Sequence, residues 1–190
     1  MRKKYYVIFS RRSDLANKHA FLSPSQSAWT NYDSDKLKLR YHAATAARKG
    51  VELHDLASKA IRLGVRINRA EKPIASYVND AIKYGMTSEQ PLFYSENCFG
   101  TADAISFKQN KLRIHDLKTG MIKAKQRQLE VYAALFCLEY SVDPYNIEIE
   151  LRIYQGEDIH VYVPDPAFIE DLMNRIIYFD DLIEGIKVND

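Results

Sequence analysis

The 190 residues predict a mixed α/β fold, a central β-sheet flanked by helices, and three features carry that expectation. Hydrophobic residues make up 46% of the chain, enough to bury a sizeable core at this length. Only 7 Gly and 6 Pro occur, which excludes collagen-like and broadly disordered chains. Helix-like and strand-like segments alternate in the order helices, strands, helix, strands, helix, the order of a mixed α/β single domain. One domain is expected over 1–190. It comprises a helical part at about 23–85, a sheet core at about 92–163 and a C-terminal helix at about 167–186.

Tyr5 to Phe9 fits a short strand or an ordered arm. Ser23-Pro24-Ser25-Gln26-Ser27 marks a helix start, with Ser23 as N-cap and Pro24 at the first helical position. Asn31 to Asp35 reads as a loop. Helix formers dominate from about Leu39 to Leu63, with Gly50 interrupting and Gly64 as the stop. A shorter helix is expected from Ile74 to Lys83, ended by Gly85. Leu92–Tyr94, Gly100–Phe107 and Lys111–Leu117 read as strands, the last two joined by a turn at Gln109-Asn110. Ala124 to Tyr140 returns to helix, apolar around much of its circumference and so buried. Asn146–Tyr154 and Asp158–Val163 alternate about Gln155-Gly156-Glu157, a hairpin signal. Pro164 and Pro166 end it, and an acidic amphipathic helix follows.

Several classes are excluded. No apolar run approaches the roughly 18 residues of a membrane span, and the basic N-terminus lacks the long apolar region and cleavage site of a signal peptide. Two cysteines, Cys98 and Cys137, are too few for a disulfide framework and make a four-cysteine zinc or iron–sulfur site impossible within one chain. A cytoplasmic protein is expected. The net charge of +2 conceals an uneven distribution. Residues 1–50 carry a net +8, residues 51–150 balance, and residues 151–190 carry a net −6. One end of the chain suits an acidic partner such as nucleic acid and the other repels it.

The central chemical signal is Gly100-Thr-Ala-Asp103, followed by Asp116-Leu117-Lys118-Thr-Gly120. Alternation puts Leu112, Ile114, Asp116 and Lys118 on one side of a strand. An acid and a base after two apolar residues fit a strand whose end opens into a polar cleft. The Gln109-Asn110 turn lets Asp103 converge with Asp116. Two converging carboxylates suit Mg²⁺, which binds one or two carboxylates and keeps waters and phosphate oxygens. A lysine two residues on can hold water or stabilise charge on phosphorus. The plain alternative is a surface Asp–Lys pair. Gln128 and Tyr132 stand one turn apart on the next helix, and His54 in Gly50-Val-Glu-Leu-His54 offers an imidazole ligand from an earlier one. His54 also fits an ordinary helix histidine, and Tyr132 the core. His115 points to the opposite strand face from Asp116, and His19, His42 and His160 have no partner pattern.

Gly50-x-x-x-His54, Gly100-Thr-Ala-Asp103, Asp116-Leu-Lys118-Thr-Gly120 and Gln128-x-x-x-Tyr132, in that order, resemble the RecB-type branch of the PD-(D/E)XK nuclease superfamily. Its stand-alone phage and prophage exonucleases are the members closest in size. The resemblance implies a restriction-endonuclease-like core. It also implies metal ligation by His54, Asp103 and Asp116, with the Leu117 carbonyl as an additional ligand. Lys118 matches the catalytic lysine, Glu96 an accessory acid before the second strand, and Gln128 with Tyr132 the helix motif beside the scissile strand. The cofactor implied is Mg²⁺, with Mn²⁺ as substitute; the iron–sulfur subgroup is excluded by the cysteine count. Residues 108–127 carry a net +6, and Lys123, Lys125 and Arg127 within them are expected to contact DNA phosphates. A solvated basic loop is the alternative for this stretch.

The expectation is therefore a metal-dependent deoxyribonuclease, an exonuclease of phage-type recombination or DNA processing. Its partners would be DNA and a recombination or replication protein, in the host cytoplasm if phage-encoded. A catalytically silent DNA-binding or partner-docking module and a structure-selective endonuclease are the competing readings. Oligomeric state is open.

Overall fold

The computed structural model describes residues 10–15, 18–68, 73–120 and 126–189. The strand or arm read at Tyr5–Phe9, the residues Lys123 and Lys125, and the expected start of a helix at Ala124 lie outside them. The chain divides into two compact units, Met1–Thr45 and Ala46–Asp190, and the division falls inside the first long helix. The first unit contains two 3-10 helices, Ser13–Leu15 and Pro24–Asn31. Ser23 precedes Pro24 as expected, but its hydroxyl meets Ser25 Oγ at 2.8 Å instead of capping a backbone N–H.

Helix α1 spans Ser34–Leu63 and begins where Asp33 Oδ1 accepts from Lys36 N at 2.7 Å. Gly50 does not interrupt it. Gly64, at φ +66, and Gly85, at φ +58, end α1 and α2 (Ile74–Tyr84) in the left-handed conformation that glycine adopts at little cost.

The second unit is a mixed α/β layer structure. Five strands lie in the order β1 (Thr87–Ser95), β2 (Cys98–Lys108), β3 (Lys111–Lys118), β4 (Glu148–Gln155) and β5 (Asp158–Tyr162). All neighbours are antiparallel except β3 and β4. A parallel pair needs a crossover, and α3 (Arg127–Glu139) supplies it. Gln109 and Asn110, both at positive φ, form the tight β2–β3 turn, and Gly156, at φ +61, sits in the β4–β5 turn.

Each face of the sheet carries its own core. On one face Leu112, Ile114, Leu151 and Ile153 meet Leu129, Ala133 and Phe136 of α3 and Ile169 and Leu172 of α4 (Pro166–Asn189). On the other, Ala104, Leu117 and Tyr154 meet Ala57 and Ile61 of α1 and Tyr77, Val78 and Ala81 of α2. No helix among the described residues is long and apolar enough to cross a membrane.

Candidate active site

Strands β2 and β3 stay in register from Lys108↔Lys111 to Ala104↔His115, and the pairing ends there. The next residues on each strand are Asp103 and Asp116. Beyond the last pair, the Leu117 N–H donates to Asp103 Oδ2 at 3.0 Å. A carboxylate thus replaces a neighbouring carbonyl as the acceptor, which satisfies a donor that would otherwise be orphaned. The two strands open at the point where the acids stand.

Asp103 Oδ2 lies 3.3 Å from His54 Nδ1, which α1 delivers from the other side. Glu89 joins them: ligand atoms of His54, Glu89 and Asp103 all lie within 4.8 Å of one another. Ligands about 2.1 Å from a Mg²⁺ ion stand about 3.0 Å apart when adjacent and about 4.2 Å when opposite, so the three side chains would have to draw closer to share one ion. Glu89 sits on β1 between the paired positions Ser88↔Ala104 and Gln90↔Ala102, across from Asp103. Its φ is +52. A non-glycine residue in that region carries strain of order 1–3 kcal/mol, which the surrounding strand pairing must hold.

Asp116 is 3% exposed. Its Oδ1 accepts from Lys118 Nζ at 2.9 Å, whereas its Oδ2 is buried with no hydrogen-bond partner among the described residues. Burial, and then repulsion from Asp103, push the Asp116 carboxyl above the ordinary carboxylate range against the pull of Lys118. Burial likewise raises Asp103, opposed by the Leu117 N–H, His54 and Lys118. Glu89 and Asp103 thus cluster with His54, whereas Asp116, expected as the third ligand beside His54 and Asp103, stands outside that cluster and pairs with Lys118 while repelling Asp103.

The other motifs meet in pairs. Lys118 Nζ donates to Gln128 Oε1 at 3.0 Å, so α3 steers the lysine through Gln128. A Cβ at Gly100 would lie 3.0 Å from the Tyr132 ring, so the glycine of Gly100-Thr-Ala-Asp103 makes room for the tyrosine of Gln128-x-x-x-Tyr132. Tyr132 also packs on the α3-side core. A Cβ at Gly50 would lie 2.7 Å from Thr119 Oγ1, so the glycine one turn before His54 admits the end of β3.

The remaining expected residues fall elsewhere. Glu96 occupies the turn between β1 and β2, and it is Glu89 that the hairpin register brings beside Asp103. Leu117 offers its N–H to the site while its side chain is buried in the α1/α2-side core. Arg127 opens α3 with its guanidinium 4.3 Å from the Phe168 ring centre and 3.7 Å from Glu130. Lys108, Lys111 and Arg113 lie at the opposite end of β3 from Lys118, so the basic stretch does not surround the acids as a block. His115 is fully buried on the α2 face, beside Tyr84 and Tyr154.

Glu89 is the residue sequence reasoning missed. Thr87-Ser-Glu-Gln-Pro91 is polar and breaks alternation, and only pairing with β2 reveals that it is strand and faces Asp103.

No protein-family model and no curated relative matches the chain. Among solved structures, one described as "Crystal structure of SSO0001" is similar over 80% of this chain and 67% of its own, at 15% identity and a TM-score of 0.36. That degree of likeness carries no statement about the site.

Proposed function

We propose that the protein is a Mg²⁺-dependent deoxyribonuclease of the RecB-type PD-(D/E)XK kind, acting as an exonuclease in phage-type DNA processing. The observation that carries the reading is the splayed β2–β3 end, where Asp103 and Asp116 converge and Lys118 stands 2.9 Å from Asp116. The orphaned Asp116 Oδ2 and the surplus of carboxylates fit a divalent cation. His54, Glu89, Asp103 and Asp116 are the residues that would hold it. A bound Mg²⁺ would orient the phosphodiester, acidify a water and neutralise developing charge.

The protein's own groups divide the remaining work. An ammonium has three donors; Asp116 and Gln128 take two of Lys118's, which leaves one for a water or a non-bridging phosphate oxygen. Asp116 and Gln128 together fix where that proton points, so the lysine is preorganised before substrate arrives. The Leu117 N–H holds Asp103 in one orientation.

The test is cleavage of end-labelled linear, closed circular and branched DNA with Mg²⁺, Mn²⁺ or EDTA. Wild type should degrade linear ends only with metal, and Asp116→Ala and Lys118→Ala should be at least about 10²-fold slower. Activity that survives EDTA or Asp116→Ala would sink the mechanism. Cutting of closed circles would replace the exonuclease by an endonuclease.

A further inference from the structure

At the other end of β3 from the acids, a recess of about 560 Å³ is lined by Lys83, Tyr84, Lys108, Gln109, Lys111, Arg113 and Glu148. Four of these residues are cations and one is an acid. Lys111 and Arg113 alternate with Asp116 and Lys118 along β3, so they face the α2 side of the sheet and belong to a different site.

The cations are held in place. Lys108 Nζ donates to the carbonyls of Tyr84 and Gly85 at 3.1 and 3.0 Å, at the C-terminal end of α2, and keeps one donor free. The Arg113 guanidinium lies 4.5 Å from the Tyr84 ring centre. Its Nε is buried and 3.4 Å from Glu150 Oε1, without the alignment of a hydrogen bond. Lys111 stands 3.3 Å from Glu148 and 3.2 Å from Glu150. Lys83 and Lys108 have no carboxylate partner among the described residues.

We propose that this recess binds phosphate-type oxyanions, in the form of a polyphosphate group or a short run of phosphodiester. Converging ammonium, guanidinium and amide donors suit an acceptor-rich tetrahedral anion. The volume exceeds that of a single phosphate and lies in the range of small-ligand sites. The Tyr84 ring already carries Arg113, Arg152 and Lys83 at 4.5, 5.1 and 5.3 Å, so it is taken up by cations and not free to stack a nucleobase. Glu148 is the one lining acid, and it tempers the site's affinity by neutralising Lys111. The proposal does not rest on the nuclease reading.

Two arms of one titration separate the sources of phosphate: pyrophosphate, and a 12-nucleotide DNA oligonucleotide in EDTA, each followed by calorimetry. The proteins are wild type, the double variant Lys83→Gln/Lys111→Gln, and Glu148→Gln. The double variant should bind about tenfold more weakly and Glu148→Gln severalfold more tightly. Changes confined to pyrophosphate identify a free phosphorylated ligand, and changes confined to the oligonucleotide identify the nucleic-acid backbone. Equal affinities in all three proteins, in both arms, overturn the proposal. If the double variant fails to fold, Glu148→Gln decides alone: a surface acid whose loss tightens anion binding has no purely structural explanation.

Discussion

The two ends of β3 solve opposite electrostatic problems within one eight-residue strand. At its start, cations and acids are interleaved: Glu150 pairs with Lys111, Arg113 and Arg152, and Arg152 in turn with Asp80. Burial pushes the Glu150 carboxyl up, but Lys111, Arg152 and Arg113 together hold it below the ordinary range. At its end, Asp103 and Asp116 are both raised and one Asp116 oxygen has no partner among the described residues. The network at the first end holds Glu150 charged among three cations, although Arg113 Nε makes no hydrogen bond among the described residues; at the other end Asp103 and Asp116 repel each other. That contrast, more than the presence of acids, is what makes the second end the candidate site.

The contrast breaks most visibly at Asp116. Asp116→Asn should remove at least about 10²-fold of nuclease activity while raising the melting temperature of the metal-free protein by a few degrees, because a buried repulsion is lost. A melting temperature that falls would show that the Asp116 charge is satisfied in the fold. Glu150→Gln should do the reverse. Losing the acid that Lys111, Arg113 and Arg152 share is expected to cost about 3 kcal/mol and lower the melting temperature by about 6–12 °C, with the rate per folded molecule unchanged.

His115, between the two ends, gives the pH dependence. Burial, with Arg152 and Arg113 nearby, lowers its pKa from 6.5 to about 3, Glu150 opposing. Tyr154 Oη donates to Asp80 Oδ2 at 2.8 Å, so the 3.2 Å contact to His115 assigns the proton to Nδ1 and leaves Nε2 bare and without a partner among the described residues. Between pH 6.5 and 3 the unfolded imidazole takes up a proton and the folded one does not, so stability falls as pH falls through that window. The raised carboxyls of Asp103 and Asp116 act with the opposite sign: they oppose folding at neutral pH, and acid relieves them. In metal-free protein, denaturant titrations across pH should show His115→Leu flattening the acid loss and Asp116→Asn steepening it. Parallel curves for the variants and wild type would refute the assignment of these groups.

Gly50→Ala is the smallest perturbation. Alanine gains about 1 kcal/mol of helix propensity, and the contact with Thr119 costs about 1–3 kcal/mol. The net change in stability should be at most about 2 kcal/mol by chemical denaturation, with activity lowered more than stability because Thr119 adjoins Lys118.

The turns were the most legible part of the sequence. Asn110, Gly64, Gly85 and Gly156 all take the positive φ that their residue types favour, whereas Gln109 takes it in the same turn without that preference. Gly50 misled, because a helix tolerates a glycine where a neighbour must approach, and no local signal distinguishes that use from a break. The pairs Lys118–Gln128 and His54–Asp103 were legible only as motifs.

The sequence by itself determined the periodicities: which segments coil, which extend, and which side of β3 carries Asp116 and Lys118. These are local properties, set by side-chain size, alternation and turn chemistry over a few residues. Only the tertiary structure decided that Glu89 faces Asp103 and that Lys108, Lys111 and Arg113 gather far from Lys118. Strand pairing and the two-residue period of a strand join residues distant in the chain and separate near neighbours onto opposite faces.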